Sequence, residues 1–195
     1  MNNQLAINKI YWAEVNESII NNSTNLIYSS SYIDFMKNIK DNNNLESVND
    51  NQHIKIQDID FEILSKGLTN TEFLNNTCMI LKINNYSILF LADAQEEQGN
   101  YLISTQKEKL QSQFVQMAHH GQNGVSESVY KIINPKVCLW STPEWLWSNN
   151  NGLGNYQTLI VRNWMSKLNV SENIVAKDGD TMITIYEDES YSINE

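Results

Sequence analysis

The sequence predicts a mixed α/β (α+β) fold, and three observations carry that prediction. Short runs of β-forming residues, at 77–83, 86–91, 113–118 and 136–140, alternate with helical patterns through the middle of the chain. Pairs of short strands with turn residues between them stand on either side of that region. The 195 residues, 41% apolar and 18% charged, are enough for one core, and no repeat or linker divides them, so residues 1–195 are read as a single domain.

Taken in order, residues 5–15 alternate loosely in β-formers and predict a strand that starts almost at once, as in a cut domain. The Asn- and Ser-rich stretch 16–25 reads as a loop. Ser31 is placed as the cap of a helix over 32–39, where Tyr32, Phe35, Met36 and Ile39 share a face. Residues 41–50 predict a surface loop. Residues 53–57 and 61–64, around Asp58-Ile59-Asp60, predict a β-hairpin, and 66–76 a loop. The strands 77–83 and 86–91 are joined at Asn84-Asn85, a residue type that tolerates the positive φ of a tight turn.

Residues 95–111 have helical composition, with Tyr101, Leu102 and Leu110 inward and Gly99-Asn100 weakening the first turn. A strand at 113–118 leads into a loop at 119–124, and Ser126 caps a helix that Asn134-Pro135 stops. The apolar run 136–140 predicts a central strand. Residues 141–154 read as irregular, and 156–168 as an amphipathic helix that buries Leu159, Ile160, Trp164 and Leu168. Strands at 173–176, 181–186 and 190–193 follow, with Asp178-Gly179-Asp180 as a turn.

The formal charge of -10, with Arg162 the only arginine, disfavours non-specific nucleic-acid binding, which rests on cationic side chains. No apolar run approaches the roughly 20 residues that a membrane helix needs, and no basic segment with an apolar run behind it opens the chain. Cys78 and Cys138 lie in apolar runs and read as reduced core residues, so a cytoplasmic location is expected.

Two pieces carry chemistry. Leu89-Phe90-Leu91-Ala92-Asp93 is a strand pattern that ends in a carboxylate, and Met117-Ala118-His119-His120-Gly121 one that ends in two imidazoles. As neighbouring strands they bring Asp93 and a histidine to one sheet edge, where the two can hold a metal ion. The plainer alternatives are an aspartate that caps the next helix and a His-His-Gly loop. His53 reads as a surface strand residue, the group Trp140, Trp145 and Trp147 as packing or an aromatic wall, and the acidic runs 93–97 and 187–189 as solvated faces.

The order of Asn75-Asn76-Thr77-Cys78, the Asp93 strand and the His119-His120-Gly121 strand, then 135–140 and Gly179-Asp180-Thr181, resembles the metallo-β-lactamase superfamily. Within it, the chain is most similar to the branch related to the hydrolase domain of bacterial competence (DNA-uptake) proteins, over roughly residues 50–186. The resemblance implies an α/β/β/α sandwich, of which this chain supplies one sheet with its helices and part of the other. It implies that Asp93 bridges two zinc (or manganese) ions and that His119 is the last histidine ligand. His120 takes the ligand role in place of His119 if the alignment shifts by one residue, and otherwise supports the leaving group or orients His119. The implied reaction is hydrolysis of phosphodiesters or other esters by metal-activated water.

Cys78 stands where the family has serine, Ala92 where it usually has glycine, and Gln122 where serine or threonine is common. The family's His-x-His-x-Asp-His motif is absent, since of three histidines only His53 precedes Asp93. The expectation is therefore the C-terminal part of a metal-dependent hydrolase, inactive as this chain alone, whose site needs the missing N-terminal half or a second chain. The alternative is a degenerate, non-catalytic module without metal that binds a partner chain or forms a homodimer through exposed apolar surface.

Overall fold

The computed structural model of the chain describes residues 8–15, 19–20, 26–39, 44–188 and 190–194. β1 (Ile10–Trp12) and β2 (Leu45–Ser47) form a small parallel ribbon, with α1 (Leu26–Ile39) between them in sequence. The main sheet contains β3 (His53–Ile56), β4 (Ile59–Ser65), β5 (Ile80–Ile83), β6 (Ile88–Phe90), β7 (Phe114–Gln116), β8 (Val137–Trp140) and β9 (Glu172–Val175), in that spatial order. Four helices accompany it: α2 (Glu96–Gln106), α3 (Glu127–Ile133), α4 (Glu144–Trp147) and α5 (Thr158–Lys167). A separate antiparallel hairpin, β10 (Met182–Ile185) with β11 (Tyr191–Asn194), follows. The fold is thus mixed α/β.

Connection length decides strand direction. Tight turns between β3 and β4 and between β5 and β6 reverse the chain, and β3 to β6 pair antiparallel. From β6 onward each connection contains a helix, and β6 to β9 pair parallel. Helices α2, α3 and α5 contribute to one core with Leu64, Ile80, Leu89, Val115 and Cys138 of the strands. The strand alternation sends Phe61, Ile63, Leu81 and Phe114 to the opposite face. There Val48 and Tyr11 join the cluster around Ile63, and the Tyr191 ring meets Phe114 edge-on at 5.1 Å between centroids. The two small ribbons therefore form a partial second layer.

Several expectations are corrected. The first strand is confined to Ile10–Trp12, and residues 5–7 of the predicted strand lie outside the described residues, as do 16–18, 21–25 and 41–43 of the two predicted loops. Ser31 lies inside α1 and does not cap it, and Phe35 is exposed. β2 occupies part of the predicted 41–50 loop because the ladder with β1 and the Lys9–Glu46 ion pair (2.6 Å) hold this polar stretch extended. β5 starts only at Ile80. Residues Leu74–Thr77 instead form a 3-10 turn that the Thr77 hydroxyl closes by donating to the Leu74 carbonyl.

At the β5–β6 turn the left-handed residue is Ser87 (φ 51°), and neither asparagine takes that conformation. The asparagine side chains are used elsewhere, since Asn84 donates to Asp60 and Glu62, and Asn85 accepts from the Asp60 amide. The helix predicted to 111 ends at Gln106, with a 3-10 turn after it, and its Tyr101 is only half-buried. Residues 141–154 include α4, whose ring of Trp147 meets Trp140 edge-on. β8 is an interior strand but stands next to the edge strand β9. Helix α5 buries Thr158, Val161 and Met165, while Leu159 and Ile160 are 43% and 50% exposed. The helix is turned so that its 158/161/165 stripe meets the sheet, with Trp164 and Leu168 at the margin. No described helix is long and apolar enough to cross a membrane.

Candidate functional site

The parallel half of the sheet puts three loop starts level with one another. Phe90, Gln116 and Leu139 are register partners on β6, β7 and β8, so the residues that follow them emerge at the same carboxyl edge. In open α/β sheets that edge is where ligands bind. The antiparallel strand β5 enters from the same edge, and brings Asn75 and Asn76 there. Asp93, His119 and His120 are thus placed together by strand order, as the two sequence pieces predicted. The His119 amide donates to the Ala92 carbonyl at 2.8 Å and ties the two loops.

The two imidazoles are held differently. His120 brings Nε2 to 3.7 Å from Asp93 Oδ1, ion-pair distance rather than a hydrogen bond. Its Nδ1–H donates to the Ser141 carbonyl at 2.9 Å. His119 accepts the Asn75 side-chain amide at Nε2 (3.2 Å), with the Gln122 amide a second donor at 3.5 Å. Its Nδ1 then carries the proton and faces the Asn123 carbonyl at 3.4 Å. Of the two histidines, the one nearest Asp93 is therefore His120, while the resemblance assigned the ligand role to His119.

The loops are strained and braced. Ala92, His119 and His120 have φ of 48°, 48° and 58°, a left-handed cluster in non-glycine residues that is typical of functional edges. Gln116 takes the Ala92 amide at 2.7 Å, the buried Tyr130 hydroxyl takes the Ala118 amide at 3.2 Å, and the Thr142 hydroxyl donates to the His120 carbonyl. Gly121 (φ 77°) lies so close to Trp140 that a Cβ there would come within 2.3 Å of its ring. Only Asn75, through its motif, could be singled out from sequence. Gln116, Asn123 and Ser141 act through a side chain on the next strand or through carbonyls, and carry no sequence signal.

Behind the edge, Cys78 donates to Gln98 Oε1, and Gln98 Nε2 donates to the Cys78 carbonyl at 2.7 Å. Burial pushes the Cys78 thiol up to about 11, so it stays protonated, and burial does the same to Cys138, up to about 12. Both thiols are free. Of the tryptophans, Trp140 donates to Asn173, Trp147 stacks beneath the Arg162 guanidinium at 4.0 Å, and Trp145 is exposed against Tyr156.

Beside the edge lies a cleft of about 970 Å³, lined among others by Asn76, Gln95 and Asn123. His53 is remote from it in the sheet, on β3, where it pairs with Asp60 at 3.0 Å. Among the described residues no group of three or more His, Cys, Asp or Glu side chains is arranged to hold a metal ion. No protein-family model, curated protein or solved structure matches the chain.

Proposed function

We propose that the chain carries one edge of a metallo-β-lactamase-type hydrolase site and does not hydrolyse substrate by itself. The observation that supports this most is the convergence of Asp93, His119 and His120 at the carboxyl ends of β6 and β7. The order of the sequence motifs supports the family, with the seven-stranded sheet and its helices as one half of an α/β/β/α sandwich. In that family the substrates are phosphodiesters or other esters, and zinc or manganese activates the water.

The residues present do not suffice for that ion. A catalytic zinc takes three protein ligands. Here one carboxylate and one imidazole approach each other, and the lone pair of His119 Nε2 already accepts from Asn75. The roles of Asp93 and His119 as metal ligands therefore require further ligands from a second chain or from additional sequence, and no catalytic step is assigned to the chain alone. Without them it is a non-catalytic module. Two free thiols fit a reducing, cytoplasmic setting. The test is hydrolysis of bis(p-nitrophenyl) phosphate and p-nitrophenyl acetate by the purified chain with zinc or manganese. No turnover is expected, and turnover that Asp93→Ala abolishes would overturn the reading.

A further inference from the structure

We infer that the cleft beside this edge binds a cationic, polyhydroxylated small molecule of the amino-sugar class. At about 970 Å³ it has the size of a small-ligand site. Asn70, Asn100 and Gln157 line it, and their side chains form no hydrogen bond with other described residues. An amide offers a donor and an acceptor side by side, which suits neighbouring hydroxyl and amine groups. Phe73, 60% exposed at the wall, offers a flat apolar face to the C–H side of a sugar ring.

Charge selects within that class. Among the described residues Glu72 and Glu96 line the cleft without a partner, Glu97 lines it while accepting from Thr71 and Asn76, and no lysine or arginine lines it. An anionic ligand is therefore repelled and a protonated amine attracted. At the start of α2, the one feature that would favour an anion, Asn76 Oδ1 already accepts from the Gln95 and Gln98 amides at 3.0 and 3.4 Å, and the Glu96 and Glu97 carboxylates stand in the same turn. A neutral sugar would leave both carboxylates unanswered, and a linear polyamine would use neither the amides nor the ring. An amino sugar engages all three.

The inference does not depend on the hydrolase reading, because no metal takes part. The test is calorimetric titration of the whole chain, in EDTA, with glucosamine tetramer, its N-acetylated counterpart and spermine. Binding of the glucosamine tetramer is expected, weakened about tenfold by Glu96→Gln and by Phe73→Ala, the worth of one charge-assisted hydrogen bond or one aromatic contact. Both residues are exposed, and an unchanged circular dichroism melt would exclude misfolding. Asp93→Ala should leave the binding intact, whatever becomes of the metal question. The N-acetylated tetramer should bind at least about tenfold more weakly. Absence of binding would overturn the inference. So would equal affinity for the N-acetylated form, or spermine binding as tightly with Phe73→Ala without effect on the sugar.

Discussion

Left-handed backbone at Ala92, His119 and His120 is the feature of the edge with the clearest energetic cost. An L-residue with a Cβ pays about 1–2 kcal/mol there, whereas glycine does not, though glycine loses up to about 1 kcal/mol of chain entropy. Ala92→Gly is therefore expected to stabilise the protein by about 0.5–1 kcal/mol in urea unfolding. Gly121→Ala should destabilise it by about 3 kcal/mol, because the new methyl meets Trp140 and the backbone is left-handed. The hydrogen bonds also fix tautomers. Long-range 15N–1H NMR should find the proton of neutral His119 and of neutral His120 on Nδ1, and Asn75→Ala should free that of His119 to redistribute. At this scale the position of Asp93, His119 and His120 at strand ends was legible, because strand patterns that stop at polar residues mark an edge. Their partners were not, because Ser141 and Asn123 act through carbonyls that every residue has.

Helix α2 shows how elements depend on residues far away in sequence. Asn76 Oδ1 accepts the amide of Gln95, which precedes the helix, and that of Gln98 in its first turn, and the following 3-10 turn is tied to β4 by Lys109, whose ammonium lies 2.6 Å from Glu62. Asn76→Ala should cost about 1–2 kcal/mol through the lost cap, measured by chemical denaturation. Burial works to raise the Glu62 carboxyl, but the bonds from Lys109 and Asn84 and the nearby His53 outweigh it and hold the group below the usual glutamate range. A carboxyl so depressed contributes stability above its unfolded pKa, near about 4.3, and loses that contribution as pH falls through the lower folded value. Lys109→Met should thus cost about 2 kcal/mol at pH 7 and progressively less in acid, followed as urea midpoints against pH.

The same scale shows what a local pattern can convey. The β3–β4 hairpin, α2 and α3 followed from turn residues and composition, although α2 stops at Gln106, short of the predicted end, and the Ser126 hydroxyl pairs with Ser128 at 2.7 Å instead of capping α3. The inward face of α5 did not. Leu159 and Ile160 are apolar, but Thr158, Val161 and Met165 fit against the sheet, and only the packing decides between overlapping stripes. β2 escaped for a similar reason, since its extended form comes from the β1 ladder rather than from its own residues.

Across the whole molecule, the parallel succession β6 to β9 with helices in its connections is what brings these loop starts to one edge; the sequence showed the strand–helix alternation but not the parallel pairing. Which strands were neighbours was open in the sequence, because no local pattern records a partner. The exposed side chains Trp145, Leu153, Leu159 and Ile160 lie around α4 and α5. Our central proposal is that this edge joins an acid and two imidazoles without holding a metal ion by itself. Elemental mass spectrometry of the chain, purified in zinc and manganese, beside its Asp93→Ala and His119→Ala forms, tests that claim directly. Far less than one ion per chain is expected, equal in all three. A near-stoichiometric ion that both substitutions remove would contradict it.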